Sequence, residues 1–150
     1  MIENKTNEQM VKEFHQVFRH PVKRPMQLPS KEEWMLRFDM LKEELYEFFD
    51  ACMNKDIVEI ADALGDLLWL AHGGLELIGV TEENQHKLMK AIYVSNMSKL
   101  CDTEAEAQDF IDETTTSLGP TRYYVVIEEG EHKGKCVLYK NNGKVDKSNS

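Results

Sequence analysis

Helix start signals recur along this chain and leave little room for any fold other than a set of helices. Thr6 with Gln9, Ser30 with Glu33 and Thr103 with Glu106 are each spaced as a capping box. In that motif a hydroxyl accepts the backbone amide three residues on, while the Glu or Gln side chain reaches back to the cap. Thr6 predicts a first helix to about Arg19, stopped by Pro21. A loop spaced by Pro21, Pro25 and Pro29 follows, and Ser30 opens a second helix to about Met53. A third runs from Lys55 or Asp56 to about Ile78, with Gly79 suited to a left-handed C-terminal cap. Thr81 caps a fourth to about Lys99, and Thr103 a shorter fifth that ends by Gly119-Pro120. Beyond it the period changes from helical to alternating. TRYYVVIEEG and KGKCVLYKNNG predict two strands around a turn from Gly130 to Gly134, with Asn142-Gly143 a second turn.

Trp34, Phe38, Leu41, Leu45, Phe48 and Cys52 step by four and three along the second helix, the seam spacing of a bundle. The strand pair is too small to hold a core alone. The expected architecture is therefore all-α, a four- to five-helix bundle with a small C-terminal β-hairpin appendage. At 150 residues it reads as one domain, a helical body over about 6–100 and an extension over about 101–150. Gly73-Gly74 in mid-helix costs about 1 kcal/mol per glycine relative to alanine, which predicts a close approach by a neighbouring element.

The net charge of -9 is concentrated. From Asp39 to Asp66 stand nine acids and two bases, Lys42 and Lys55, so that segment carries -7 and the rest of the chain only -2. The acids share helix faces with core residues. Glu44 and Glu47 straddle the edge of the Leu41, Leu45 and Phe48 stripe, and Glu59, Asp62 and Asp66 follow at i, i+3 and i+7 on the third helix. A solvated helix would carry its acids opposite the apolar stripe. Like charges stacked this way repel by about 0.2–0.5 kcal/mol per pair even in water, so a positive partner is expected between them. Neither lysine of the block lies on those faces. Carboxylates without His or Cys select hard divalent cations, above all Mg2+ (with Mn2+ also compatible), which bind alongside substrate phosphates. A di-iron carboxylate bundle would need two Glu-x-x-His pairs, and only Glu83-x-x-His86 is present.

The remaining composition excludes other classes. Such an acidic block repels a nucleic-acid backbone, and no basic stripe with interleaved aromatics offsets it. No apolar run approaches the roughly eighteen residues of a membrane span. The N-terminus lacks the features of a signal or transit peptide, and Cys52, Cys101 and Cys136 form no CxxC pair, so a cytosolic location is expected with neither a disulfide framework nor a zinc site.

Glu43-Glu44-Leu45-Tyr46-Glu47, followed after eleven residues by Glu59-Ile60-Ala61-Asp62, matches EExxE…ExxD. The pattern resembles the all-α nucleoside triphosphate pyrophosphohydrolases, the superfamily of MazG, dimeric dUTPases and phosphoribosyl-ATP pyrophosphohydrolase. Val11 to His15, the run Asp62 to Trp69, Ser95 to Lys99 and Gly143-Lys144-Val145-x-Lys147 are similar to the small MazG-like and dUTPase-like members. The likeness covers about residues 8–100 and 140–150. Ala63 replaces the glutamate that precedes Leu-Gly-Asp in MazG itself, which places the acid pair one turn earlier, at Glu59 and Asp62. The segment from about Asp102 to Lys140, a short helix and a hairpin, looks like an insertion relative to the compact members of that superfamily.

The resemblance implies attack of water on the α-phosphorus of a nucleoside triphosphate, releasing the monophosphate and pyrophosphate. Glu44, Glu47, Glu59 and Asp62 are the candidate magnesium ligands, with Asp66 a further ligand or a supporting group, and Glu43 a candidate to position or deprotonate the water. Asn96 and Lys99 are candidate contacts to base, sugar or phosphate, Lys144 and Lys147 to phosphates, and Phe14 and His15 to the substrate. Phe14 and Trp34 are candidates to stack on a base or to pack in the core, and His15 is also a candidate for a structural role. A homodimer or homotetramer is implied. The competing readings are a phosphoribosyl-ATP pyrophosphohydrolase-like activity and a non-catalytic nucleotide-binding or regulatory bundle.

Overall fold

The computed structural model describes residues 4–115, 119 and 121–146. The chain divides into two compact units, Met1–Lys87 and Leu88–Ser150. The first holds helices α1 (Asn7–Val17), α2 (Lys31–Asn54) and α3 (Ile57–Ile78), together with the start of α4 (Glu82–Met97). The rest of α4 belongs to the second unit, with β1 (Leu100–Cys101), α5 (Glu104–Thr114), β2 (Arg122–Val126) and β3 (Cys136–Lys140). The fold is mostly helical with a small C-terminal sheet, as the pattern of caps and alternation predicts.

Each helix of the first unit begins where its cap chemistry dictates. Thr6 and Ser30 both form complete capping boxes, with Gln9 and Glu33 as the reciprocal partners. Asp56 accepts the amides of Val58 and Glu59 at 3.0 and 3.2 Å and so starts α3 just one residue after α2 ends in a left-handed Lys55. That short link folds α2 and α3 into a helical hairpin, and α1 packs on α3. The proline-spaced loop lies across the C-terminus of α3, where the Lys23 and Gln27 amides donate to the carbonyls of Leu77 and Ile78 at 2.9 and 3.1 Å. These carbonyls have no partner within the helix, so the loop satisfies them. Gly79 closes α3 at φ 92°, and a Cβ there would stand 2.2 Å from the Lys23 carbonyl oxygen. Glycine is required by both the dihedral and the space.

Gly73 meets the predicted close approach, but the neighbour is a side chain. A Cβ on Gly73 would lie 2.8 Å from Nη1 of Arg37 and 3.2 Å from Nε2 of His15. The seam read along α2 needs correction. Leu41 and Phe48 are half-buried, whereas Trp34, Phe38, Leu45 and Cys52 are exposed. The stripe covered within the chain is Arg37, Leu41, Glu44, Phe48 and Ala51. It has the same period but lies to one side of the predicted seam, because α3 contacts α2 from that side only.

The second unit is a three-stranded antiparallel sheet in the order β1-β3-β2, with Cys101 opposite Cys136 and Tyr124 opposite Leu138. The third strand, two residues long, corrects the expected hairpin, since Leu100-Cys101 is too short to show an alternating pattern. Thr103 caps α5, which ends at Thr114, short of Gly119. Ala107, Cys136 and Leu138 are fully buried, with Cys101, Phe110, Ile111, Tyr124 and Val126 packed around them. Buried Asp146 binds Arg122 and, at 3.1 Å, Lys140, which fastens the last described residue to β2 and β3.

Candidate functional site

The carboxylates meet along the α2–α3 hairpin. Glu44 lies within the covered stripe of α2, half-buried, and its Oε2 is buried without a hydrogen-bond partner. Burial raises its pKa above the ordinary glutamate value, and the charges of Glu47, Asp66, Asp62 and Glu43 raise it further. Glu43 and Glu47 are on α2 with Glu44, and Asp62 and Asp66 are on α3, so the hairpin brings both acidic runs to one place. Glu43, Glu47, Glu59, Asp62 and Asp66 are exposed, with Glu59 one turn before Asp62.

Among the described residues none of these six carboxylates is in an ion pair. Lys42, the nearest lysine in sequence, instead lies 6.0 Å from the ring centre of Tyr46. A buried carboxylate oxygen without a partner costs on the order of 1–3 kcal/mol, and here four further acids add repulsion. The donor set is oxygen only, the chemistry that hard divalent cations take. Among the described residues no three His, Cys, Asp or Glu side chains close into a finished ligand set.

The other candidate residues are distributed differently. Phe14 is half-buried in a ring cluster with Phe18, His20 and Trp69, at centroid distances of 4.4, 5.3 and 5.5 Å. His15 is 3% exposed and packs against Gly73 and Arg37. Burial lowers its pKa, and the neighbouring His20 and Arg37 lower it further. Its Nδ1 is buried without a hydrogen-bond partner among the described residues. Trp34, the other ring considered for stacking or core, is exposed. Asn96 and Lys99 are in the second unit, where Nζ of Lys99 donates to Oδ1 of Asn96. Lys144 is exposed in the turn after β3, and Lys147 lies outside the described residues.

One cavity was not legible in the sequence. It occupies about 210 Å³ between α1 and α3 and is lined by Asn7, Met10, Val11, Gly65, Leu68, Trp69 and His72. Trp69 follows Asp62 by seven residues and Asp66 by three, which carries the acidic face of α3 into this cavity. That spacing was the available signal, but it acquires meaning only once α1 is seen packed alongside.

A family model for phosphoribosyl-ATP pyrophosphohydrolase matches residues 11–92, more than half of the chain. An uncharacterized protein of Acanthamoeba polyphaga mimivirus is 34% identical over 90 residues, covering 57% of this chain and 36% of the relative. The chain thus spans about a third of the length of that curated relative. No solved structure matches. With the EExxE…ExxD acids gathered on one helical hairpin inside the matched span, the chain belongs to the phosphoribosyl-ATP pyrophosphohydrolase family, within the all-α nucleoside triphosphate pyrophosphohydrolase superfamily.

Proposed function

We propose that this protein is a magnesium-dependent nucleoside triphosphate pyrophosphohydrolase that converts a (deoxy)nucleoside triphosphate to its monophosphate and pyrophosphate, clearing unwanted nucleotides from the pool. The observation that carries the reading is Glu44, whose buried Oε2 has no partner while the charges of four nearby acids oppose its ionisation. A cluster so unfavourable alone fits a site built to be completed by cations. Glu44, Glu47, Glu59 and Asp62 would hold Mg2+ or Mn2+, with Asp66 a further or supporting ligand. When bound, the metal neutralises the triphosphate and lowers the pKa of the attacking water. Glu43, exposed beside these ligands, positions or deprotonates that water. Asn96, Lys99, Lys144 and Lys147 remain candidates for the sugar and phosphates.

The family name supports a second reading, in which phosphoribosyl-ATP is the substrate. A homo-oligomer is also part of the proposal, supported by the exposed Trp34, Phe38, Leu45, Tyr46 and Phe49 on α2. Apolar surface of that extent on one face usually marks an interface.

Pyrophosphate release from a panel of dNTPs, NTPs and phosphoribosyl-ATP with Mg2+, compared with Glu44→Ala and Asp62→Ala, tests the activity. Turnover of at least one compound, lost in both variants and absent with a chelator, is the expected outcome. No turnover of any compound, with nucleotide bound equally by wild type and both variants, would instead support the non-catalytic binding bundle.

A further inference from the structure

Beside the acidic face of α3, a cavity carries an aromatic wall and a histidine whose tautomer is set by its hydrogen-bond partners. Its α3 wall is Gly65, Leu68, Trp69 and His72, and its α1 wall Asn7, Met10 and Val11. Trp69 is 36% exposed, with its indole held edge-on against Phe14 at 5.5 Å. Support from one side and access on the other make it a fixed platform for a flat ring.

The His72 tautomer follows from a chain of three groups. The Val80 carbonyl can only accept, so the Gln85 atom 3.3 Å from it is the amide nitrogen, and the atom facing His72 is therefore the acceptor Oε1. Nδ1 of His72, 2.9 Å from that oxygen, then carries the proton. The Glu8 carboxylate 4.0 Å from the same nitrogen favours the same arrangement. Gln85 is 2% exposed, so the relay is shielded from water. In neutral His72 this leaves Nε2 as an acceptor, and Asn7 contributes an amide able to donate and accept.

Resting on the pyrophosphohydrolase reading, we propose that this cavity holds the base of the nucleotide whose phosphates lie at the carboxylates. The base stacks on Trp69, and an N–H or amino group on its edge donates to Nε2 of His72. Three observations choose a nucleobase over another occupant. The cavity of about 210 Å³ holds a single heterocycle rather than a peptide or lipid chain. It pairs a flat apolar wall with an edge acceptor. Trp69 also lies seven residues from Asp62, roughly 10 Å along the helix at 1.5 Å per residue, a span that a nucleotide's sugar and α-phosphate bridge. Gln85 and Glu8 act as positioning residues for His72.

The test compares KM and kcat for dNTPs with those for a base-free deoxyribose triphosphate, using wild type, Trp69→Leu, Trp69→Phe and His72→Phe with circular dichroism as the check on folding. Removing one base–aromatic stack is expected to raise dNTP KM about tenfold. It should also collapse the preference of dNTP over the base-free compound, with Trp69→Phe restoring much of it. His72→Phe is expected to alter the ranking among the four dNTPs more than kcat. In a Trp34→Phe background Trp69 is the sole tryptophan, and nucleotide should quench its fluorescence even with Ca2+ in place of Mg2+. Hydrolysis that proceeds with unquenched Trp69 and unchanged dNTP preference in all three variants overturns the base pocket while leaving the enzyme reading intact. Absence of both hydrolysis and nucleotide binding overturns the enzyme reading, and the base pocket with it.

Discussion

Glu44→Gln, measured in protein stripped of divalent cations by a chelator, probes whether the carboxylates are a site awaiting a cation. The charges of four acids near Glu44 each oppose its ionisation. At about 0.2–0.5 kcal/mol per like-charge pair, and toward the low end because most of these groups are solvated, the penalty on folding at neutral pH is about 1 kcal/mol. For a chain of this size that corresponds to about 2–4 °C in Tm, so the Gln variant should melt higher by that amount. The pH dependence has a definite sign. Below the ordinary glutamate value near 4.5 the group is protonated both folded and unfolded and contributes nothing. As pH rises through that value the unfolded chain ionises first, so the penalty grows and is fully present once pH exceeds the raised folded value. The gap between variant and wild type should therefore be small near pH 4 and maximal at pH 7. Adding Mg2+ should reverse the order, since saturation at 100 times Kd is worth about 2.7 kcal/mol to a protein that binds it and the variant has lost one ligand. A Gln variant less stable than wild type in chelator at pH 7, or a gap that does not shrink at pH 4, would refute the reasoning.

Gly79→Ala is expected to destabilise the first unit by more than about 1 kcal/mol, read as a lower urea midpoint, because φ of 92° and a Cβ 2.2 Å from the Lys23 carbonyl both oppose it. Gly73→Ala should cost less, since the atom it meets at 2.8 Å is the flexible end of Arg37. A thiol reagent should label exposed Cys52 rapidly and Cys136 only on unfolding, because Cys136 is fully buried and burial raises its pKa, holding it as the unreactive thiol; equal labelling rates by mass spectrometry would contradict this. For Asp146, burial pushes the pKa up, but the hydrogen bonds and charges of Arg122 and Lys140 outweigh it and the net shift is downward. Its stabilisation is thus present above the ordinary aspartate value of 3.8 and lost as pH falls through the lower folded value. Asp146→Asn should lower the Tm of the second unit at pH 7, and the difference should vanish in strong acid.

Local chemistry decided much before any packing was known. A hydroxyl or carboxylate that accepts its own downstream amides needs no distant partner, so Thr6, Ser30, Asp56 and Thr103 announced their helices directly, and Gly79 its left-handed cap. The EExxE…ExxD acids were likewise visible, because helical periodicity alone puts them on the stripe of the apolar residues. Tertiary contacts decided which side of that stripe is covered. A small rotation of α2 relative to the predicted seam makes Glu44, rather than Leu45, a member of the face against α3, and periodicity by itself is silent about rotation. His72 and Gln85 stand on two helices, and their relay depends on the Val80 carbonyl at the loop between them, so no linear spacing encodes it. The strand Leu100-Cys101 exists only because β3 supplies its hydrogen-bond partners. Sequence, through local hydrogen bonds and period, set the elements and their acidic chemistry. The orphaned oxygen of Glu44 and the cavity beside Trp69 arise only when separate segments desolvate one another, an event that belongs to the tertiary structure.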